Sequence, residues 1–182
     1  RDNISGIILQ DYNKGVLTER LIKDVISIAN GKSIPVGVDP KKKNFLAYKN
    51  VSLFKPNLKE LKEGLGINFK HDIIEEILKA VDILHDKLNC RYIMTTLSER
   101  GVLIKDYEKG IYHHIPAHLR QIADVSGAGD TVLSVAMLCL VNQQDAYHIA
   151  ALSNLAGGLV CEELGAVPIN KDKFAEEIKK IF

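Results

Sequence analysis

The sequence lacks an excess of charge of either sign. Its 182 residues include 24 lysines and arginines against 23 aspartates and glutamates, which gives a formal net charge of +1. The two signs are interspersed along the chain, so no surface that attracts nucleic acid or anionic lipid is expected. Any anion that this protein binds must therefore be held by local geometry.

Cysteines are few, and long apolar runs are missing. Cys90, Cys139 and Cys161 are an odd, scattered set with neither metal-ligand spacing nor a disulfide framework, so buried thiols in a reducing compartment are expected. No apolar run approaches the roughly 20 residues that span a bilayer. The first residues carry no signal-peptide pattern. We expect a cytoplasmic protein that has no membrane partner.

Short β-rich runs alternate with amphipathic stretches in the first part of the chain. A strand is predicted at residues 6–9, a helix at 18–30 and a second strand at 34–39. Thr18 is the predicted N-cap of this helix, and Gly31 is predicted to lie just past its end. This βαβ order is typical of a parallel sheet.

The remaining pattern predicts a mixed α/β sheet within one domain. Asp72 and Glu75 have the spacing of a capping box at the start of a long helix. The predicted elements are a strand at 51–54, a short helix ending near 64–66, a helix at 72–88, a strand at 91–96, an antiparallel pair at 101–106 and 110–115, helices at 131–141 and 145–164, and a final helix after Asn170.

The segment with the clearest chemical meaning is a glycine-rich turn, DVSGAGDT, at residues 124–131, directly before an apolar helix. Gly127 and Gly129 let the backbone approach a ligand, and the free amides of the first helical turn favour an anion. Asp130 stands at this turn and is the candidate general base. On spacing alone, Asp130 could equally cap the helix. Neither a Walker A motif nor the spaced dinucleotide fingerprint is present.

This turn closely resembles the Asp-Thr/Val-x-Gly-Ala-Gly-Asp signature of the ribokinase-like, or PfkB-type, carbohydrate kinases. The resemblance implies a ribokinase-like three-layer α/β/α fold, with a mostly parallel sheet and a small antiparallel part. It further implies that the amides of Gly127, Ala128 and Gly129 form an anion hole over the γ-phosphate of ATP. By the same resemblance Asp130 is the catalytic base and contacts the sugar, and magnesium accompanies ATP.

Other segments resemble the nucleotide-binding parts of the same family. The run KPNLKEL at 55–61 is similar to the Pro-Asn-x-x-Glu motif, which implies that Asn57 and Glu60 hold magnesium through water; a helix-capping box is the alternative. The run TTLSERG at 95–101 resembles a stretch beside the phosphates and ribose. Residues 154–158 match the adenine site, with close helix packing as the alternative. The nucleotide-binding residues implied are Asn57, Glu60, Thr96, Ser98, Gly101, Asp124, Ser126, Asn154 and Gly158.

Two segments resemble the heptose-7-phosphate kinases, the kinase half of bacterial ADP-heptose synthases. Residues 11–18 are similar to that subgroup's Asp-Tyr-Gly-Lys-Gly-Val stretch, with Asn13 tolerating the same left-handed backbone as glycine, and residues 39–48 are similar to its Asp-Pro-Lys pattern. The resemblance implies D-glycero-D-manno-heptose 7-phosphate as substrate and Asp11 and Lys14 as substrate contacts. Lys55 points instead to the phosphofructokinase branch. Another carbohydrate kinase and a non-catalytic nucleotide-binding fragment are the alternatives.

The resemblance covers only the later portion of the family's fold. Residues 1–182 are therefore expected to be the C-terminal, ATP-binding and catalytic part of a single ribokinase-like kinase domain, without its N-terminal sugar-binding and lid part. His113, His114 and His118 lack the nucleotidyltransferase spacing and are expected to be strand and loop histidines. The implied partners are a sugar phosphate and ATP, with no nucleic acid, and a homodimer is left open.

Overall fold

Six strands form one sheet within residues 4–118 and 122–181, which the computed structural model describes. The strands follow one another in the sheet in the same order as in the chain. Their bounds are β1 Ile7–Gln10, β2 Val36–Asp39, β3 Leu53–Phe54, β4 Tyr92–Thr96, β5 Val102–Asp106 and β6 Ile111–Ile115. Strands β1 to β4 are parallel, whereas β5 runs antiparallel to β4 and β6 antiparallel to β5. The predicted mixed sheet is confirmed.

Helices cover both faces of this sheet. They are α1 Glu19–Gly31, α2 Leu58–Leu65, α3 Ile74–Leu88, α4 Ala128–Val141, α5 Ala146–Val160 and α6 Lys171–Ile181. Side chains alternate along the strands: Phe54 and Ile93 join the core with α1, α2 and α3, while Leu53 and Met94 join the core with α4 and α5. The architecture is therefore three layers, α/β/α, with two separate cores.

Two glycines let α4 pack closely against its neighbours. A Cβ at Gly37, in the middle of β2, would overlap the side chain of Met137 on α4. A Cβ at Gly157, on α5, would overlap Val132 on the opposite side of α4. These contacts fix α4 against the sheet and against α5, and so fix the position of its N-terminus.

Several predicted helix ends are shifted in the structure. Thr18 is the N-cap of α1 as predicted, accepting a hydrogen bond from the Leu21 amide at 3.3 Å, but Gly31 is its last helical residue. Helix α5 ends at Val160, before the predicted residue 164, and the chain then turns through Gly165 at a φ of 77°.

The start of α3 was also predicted wrongly. The helix begins at Ile74 instead of residue 72, so Asp72 and Glu75 do not form the predicted capping box. Glu76 instead accepts a hydrogen bond from the Lys70 amide, which ties the preceding loop to the first turn of the helix. The capping-box spacing considers only residues at the helix start, whereas the amide that Glu76 accepts from belongs to Lys70 in the preceding loop.

The thiols are less uniformly buried than predicted. Cys90 and Cys139 are buried, whereas Cys161 is partly exposed. Burial raises the pKa of the Cys90 thiol to about 12 and that of Cys139 to about 11, so both stay protonated at neutral pH. None of the helices in the described ranges is long and apolar enough to cross a membrane.

Candidate active site

Polar side chains collect at the carboxyl ends of the four parallel strands. Asp11 follows β1, Asp39 ends β2, Lys55 follows β3 and Thr96 ends β4. Because parallel strands end at one edge of the sheet, these four residues lie along the same crevice, where open α/β sheets bind their ligands. The N-terminus of α4 faces this edge, since a Cβ at Gly129 would lie 3.6 Å from both Asp39 Oδ2 and Lys55 Nζ.

The Asp124 carboxylate fixes the shape of the glycine turn before α4. Asp124 accepts hydrogen bonds from the Ser126 amide at 2.9 Å, the Ser126 hydroxyl at 2.8 Å and the Gly165 amide at 3.0 Å. The hydrogen bonds from Ser126 hold the pKa of the Asp124 carboxyl below its usual value. Gly127, the N-cap of α4, has a φ of 77°, which favours glycine.

This turn leaves backbone donors free at the positive end of α4. The amides of Gly127, Gly129 and Asp130 have no acceptor among the residues that the structure describes. The Ala128 amide differs, because it donates a long hydrogen bond of 3.3 Å to the Val125 carbonyl. Free amides and the helix dipole together form an anion site.

Asp130 is the third residue of α4 and not its cap, so the capping alternative for this residue is wrong. Its Oδ2 accepts a hydrogen bond of 2.6 Å from the hydroxyl of Tyr12, in the loop after β1. The carboxylate is half-buried beside the free amides. A carboxylate in this position can accept a proton from a hydroxyl group brought to the anion site.

A buried ion pair lies directly beneath the glycine turn. Lys55 Nζ is 3.0 Å from Asp39 Oδ2, and the two residues are 3% and 5% exposed. The Gln10 side-chain amide donates a hydrogen bond of 3.0 Å to the same carboxylate oxygen. Lys55 is thus paired with Asp39 inside the protein and is not exposed at the surface.

Comparison with known proteins identifies the family. The profile of the pfkB family carbohydrate kinases matches residues 3–173. The chain belongs to the pfkB family of carbohydrate kinases. Among curated relatives, the Bifunctional protein HldE of Campylobacter curvus (strain 525.92) is 36% identical over 177 residues, which are 97% of this chain and 37% of the relative. The protein of the same name from Aliarcobacter butzleri (strain RM4018) is 38% identical over 172 residues, which are 94% of this chain and 35% of the relative.

Solved structures agree with this family at the level of the fold. Phosphofructokinase-2 from Escherichia coli, in complex with potassium, has a TM-score of 0.85 and 18% identity over 96% of this chain and 57% of its own. Arabidopsis thaliana ribokinase, complexed with ribose and ATP, has a TM-score of 0.82 and 20% identity over 96% of this chain and 56% of its own. The ribokinase-like fold predicted from the sequence is confirmed. The chain spans about a third of the length of the curated relatives it matches.

The pfkB motif residues Asn57 and Glu60 form a complete capping box at the start of α2. Asn57 Oδ1 accepts a hydrogen bond from the Glu60 amide at 2.8 Å, and Glu60 Oε2 accepts one from the Asn57 amide at 2.9 Å. Glu60 Oε1 also pairs with Lys41 Nζ. Capping therefore takes place, yet each carboxylate oxygen retains a lone pair for a metal-bound water.

The segment after β4 brings a second set of predicted residues to the same edge. The Thr96 amide donates a hydrogen bond of 3.1 Å to the Pro56 carbonyl, which places Thr96 beside Asn57. Ser98 is exposed on the following turn. Gly101 has a φ of 87°, and a Cβ there would overlap the backbone after β6, so this position requires glycine.

The residues predicted to contact adenine lie on α5. Asn154 is buried and its side-chain amide donates a hydrogen bond of 2.9 Å to the Pro116 carbonyl, so it anchors the chain beyond β6. Gly158 is half-buried on the same helix. The close packing that the sequence left as an alternative applies to Gly157, which lies against Val132. The adenine contact itself stays a prediction.

The two predicted substrate residues differ sharply in exposure. Asp11 is 2% exposed, and its Oδ2 accepts hydrogen bonds from the Tyr48 hydroxyl at 2.7 Å and from Asn44 at 3.2 Å. Its Oδ1 accepts a hydrogen bond from the Asn13 amide at 2.7 Å. Both oxygens accept hydrogen bonds from the protein and so shape the loop, and the predicted contact of Asp11 with a sugar stays a prediction. Lys14 is exposed on that loop.

Sequence reasoning missed two contacts of this site. It assigned no role to Tyr12, whose hydroxyl meets Asp130, and it treated Asp39 and Lys55 as separate subgroup markers. The available signal was the position of Asp39 and Lys55 at predicted strand ends and of Tyr12 in the loop after the first predicted strand. His113 and His114 lie in β6 as expected, and the described residues contain no cluster of three or more histidines, cysteines or carboxylates that could hold a metal.

Proposed function

We propose that this chain is the C-terminal, ATP-binding and catalytic part of a single ribokinase-like kinase domain, and that the protein phosphorylates a sugar phosphate at the expense of ATP. The observation that carries the proposal is the half-buried carboxylate of Asp130 in the first turn of α4, next to the free amides of Gly127 and Gly129. This arrangement supplies a proton acceptor and an anion site within one helical turn.

In the proposed reaction, the oxygen of the sugar hydroxyl attacks the γ-phosphorus of ATP. The bond between that phosphorus and the β,γ-bridging oxygen breaks, and the bonding electron pair leaves with ADP. The hydroxyl proton passes to the Asp130 carboxylate. The free amides stabilise negative charge on the transferred phosphoryl group. Phosphoryl transfer depends mainly on positioning, which the fixed N-terminus of α4 provides.

The residues present fit magnesium held through water. Asn57 and Glu60 offer amide and carboxylate oxygens at the crevice, and the described residues provide no cluster that would bind a metal directly. This matches the preference of Mg²⁺ for retained waters and substrate phosphates over all-protein cages. When bound with ATP, magnesium neutralises charge on the phosphate oxygens.

The nucleotide is proposed to lie along the carboxyl edge of β3 and β4. Thr96, Ser98 and Gly101 would border its phosphates and ribose, and Asn154 and Gly158 would border the adenine. Asp124 and Ser126 would act on the nucleotide indirectly, because the Asp124 carboxylate sets the shape of the glycine turn. ATP as co-substrate fits the cytoplasmic location expected from the sequence.

We propose D-glycero-D-manno-heptose 7-phosphate as the acceptor, with the 1,7-bisphosphate as product. The relatives named HldE match 97% and 94% of this chain at 36% and 38% identity, which supports the resemblance of residues 11–18 and 39–48 to heptose-7-phosphate kinases. Lys14 is exposed near the crevice and is proposed to attract a sugar phosphate. Lys55, which pointed to the phosphofructokinase branch, is paired with Asp39 inside the protein, so its presence needs no fructose 6-phosphate.

A panel of sugars assayed on the complete gene product tests this function. We expect the specificity constant for heptose 7-phosphate to exceed those for fructose 6-phosphate and ribose, because a polar site rejects an analogue that leaves its groups unpaired. A preference for fructose 6-phosphate of about tenfold, or roughly 1.4 kcal/mol, would overturn the heptose assignment. Absence of sugar-dependent ADP release with every sugar would overturn the kinase activity itself.

A further inference from the structure

Tyr12 makes a contact that the proposed reaction does not yet use. Its residue surface is 56% exposed, and its hydroxyl reaches from the loop after β1 to Asp130, 118 positions later in the chain. The O–H donates to Asp130 Oδ2 at 2.6 Å. Burial of the ring cannot account for this placement, so the hydrogen bond to the carboxylate is its main specific interaction.

The loop that carries Tyr12 is anchored on both sides. Asp11 is buried, and its carboxylate is fixed by the Tyr48 hydroxyl and by Asn44. The same carboxylate accepts the Asn13 amide and closes a tight turn in which Asn13 has a φ of 54°. The backbone of Tyr12 is therefore held in place, and its side chain is aimed at α4 from a fixed base.

The contact with Tyr12 makes the two carboxylate oxygens of Asp130 different. Tyr12 occupies Oδ2, whereas Oδ1 has no donor among the residues that the structure describes. One oxygen is thus fixed while the other stays open to a hydroxyl group of the acceptor.

The phenol remains a donor at neutral pH. Its hydrogen bond to Asp130 raises the pKa of the Tyr12 hydroxyl above its ordinary value, and the negative charge of Asp39 acts in the same direction, against the positive charge of Lys41. Among the residues that the structure describes, Asp39 at the end of β2, Lys41 in the loop that follows it and Asp130 on α4 thus act on the phenol.

We propose that Tyr12 is a positioning residue for phosphoryl transfer, which orients the Asp130 carboxylate through Oδ2 and leaves Oδ1 to accept the proton of the sugar hydroxyl. The proposal rests on the kinase function proposed above. The proposed site then includes Tyr12 from the loop after β1, in addition to the glycine turn and the residues at the strand ends.

The test is Tyr12→Phe in the complete gene product, with Tyr112→Phe as the matched control. Tyr112 is an exposed residue of β6, outside the proposed site. We expect Tyr12→Phe to lower kcat by about 10-fold to 100-fold, in line with the cost of a misplaced catalytic group, with an unchanged KM for Mg-ATP. The loss should appear in kcat and not in the KM for Mg-ATP, because a misplaced base slows the chemical step and leaves the nucleotide site intact.

Thermal unfolding separates positioning from stability, because the hydroxyl of an exposed tyrosine can be removed with little effect on the melting temperature. A kcat within twofold of wild type overturns the proposal, and so does a loss of activity that appears as a raised KM for Mg-ATP with an unchanged kcat. If Asp130→Asn is inactive while Tyr12→Phe is normal, the kinase function stands and the role of Tyr12 does not. If the wild-type protein transfers phosphate to no sugar, the proposed function fails first.

Discussion

Replacing Asp130 with asparagine is expected to lower kcat by about 10²-fold to 10⁴-fold, the usual contribution of a general base. The side chain keeps its shape but no longer accepts a proton. The amides of Gly127 and Gly129 are unchanged, so the affinity for Mg-ATP should stay within about threefold of the wild-type value. A loss of turnover without a loss of nucleotide binding is the signature of a group that acts in the chemical step.

Steady-state kinetics and calorimetry on the complete gene product check this expectation. Asp145→Asn is the matched control, since Asp145 is the N-cap of α5 and accepts the His148 amide at 2.9 Å, which asparagine can also do. Helix α4 separates the two aspartates by its own length of roughly 20 Å. Turnover of Asp130→Asn within tenfold of wild type, or equal losses in both variants, would contradict the role of Asp130.

Replacing Lys55 with methionine is expected to lower the free energy of unfolding by about 3–5 kcal/mol, the usual cost of removing one partner of a buried ion pair. The change leaves the Asp39 carboxylate buried with only the Gln10 amide on the oxygen that Lys55 shared. The pair lies beneath the glycine turn, so we expect this loss of stability to be accompanied by weaker anion binding at α4.

Denaturant unfolding measures the effect, and a double-mutant cycle with Asp39→Asn isolates the pair. The double variant should be less destabilised than the sum of the two single changes, because removing the carboxylate relieves the uncompensated charge. Lys59→Met is the control: Lys59 has an 82% exposed side chain and lies 3.9 Å from Glu63, so less than about 1 kcal/mol is expected. A similarly small effect at Lys55 would contradict the importance of the buried pair.

Local patterns predicted much of this fold. The βαβ order, the N-cap at Thr18, the glycine turn before α4 and the box of Asn57 and Glu60 all depend on residues within a few positions of one another. Such features are governed by backbone geometry and nearby hydrogen bonds, which the sequence displays directly.

The contacts that local patterns did not predict depend on distant residues. The contact of Tyr12 with Asp130 and the pairing of Lys55 with Asp39 require the packed sheet, and no spacing rule connects positions so far apart. Asp11 was predicted to contact the sugar because its motif matched; its carboxylate accepts hydrogen bonds from Tyr48 and Asn44, and the sugar contact stays a prediction. A motif thus indicates that a residue belongs near a site without indicating which way its side chain faces.

A crystal structure of the complete gene product with magnesium, a non-hydrolysable ATP analogue and heptose 7-phosphate tests the central claim most directly. We predict that a γ-phosphate oxygen lies about 2.7–3.1 Å from the amides of Gly127 and Gly129. The acceptor hydroxyl should lie about 2.6–3.2 Å from the Asp130 carboxylate, within reach for proton transfer. A γ-phosphate bound away from the N-terminus of α4, or a sugar with no hydroxyl near Asp130, would contradict the account.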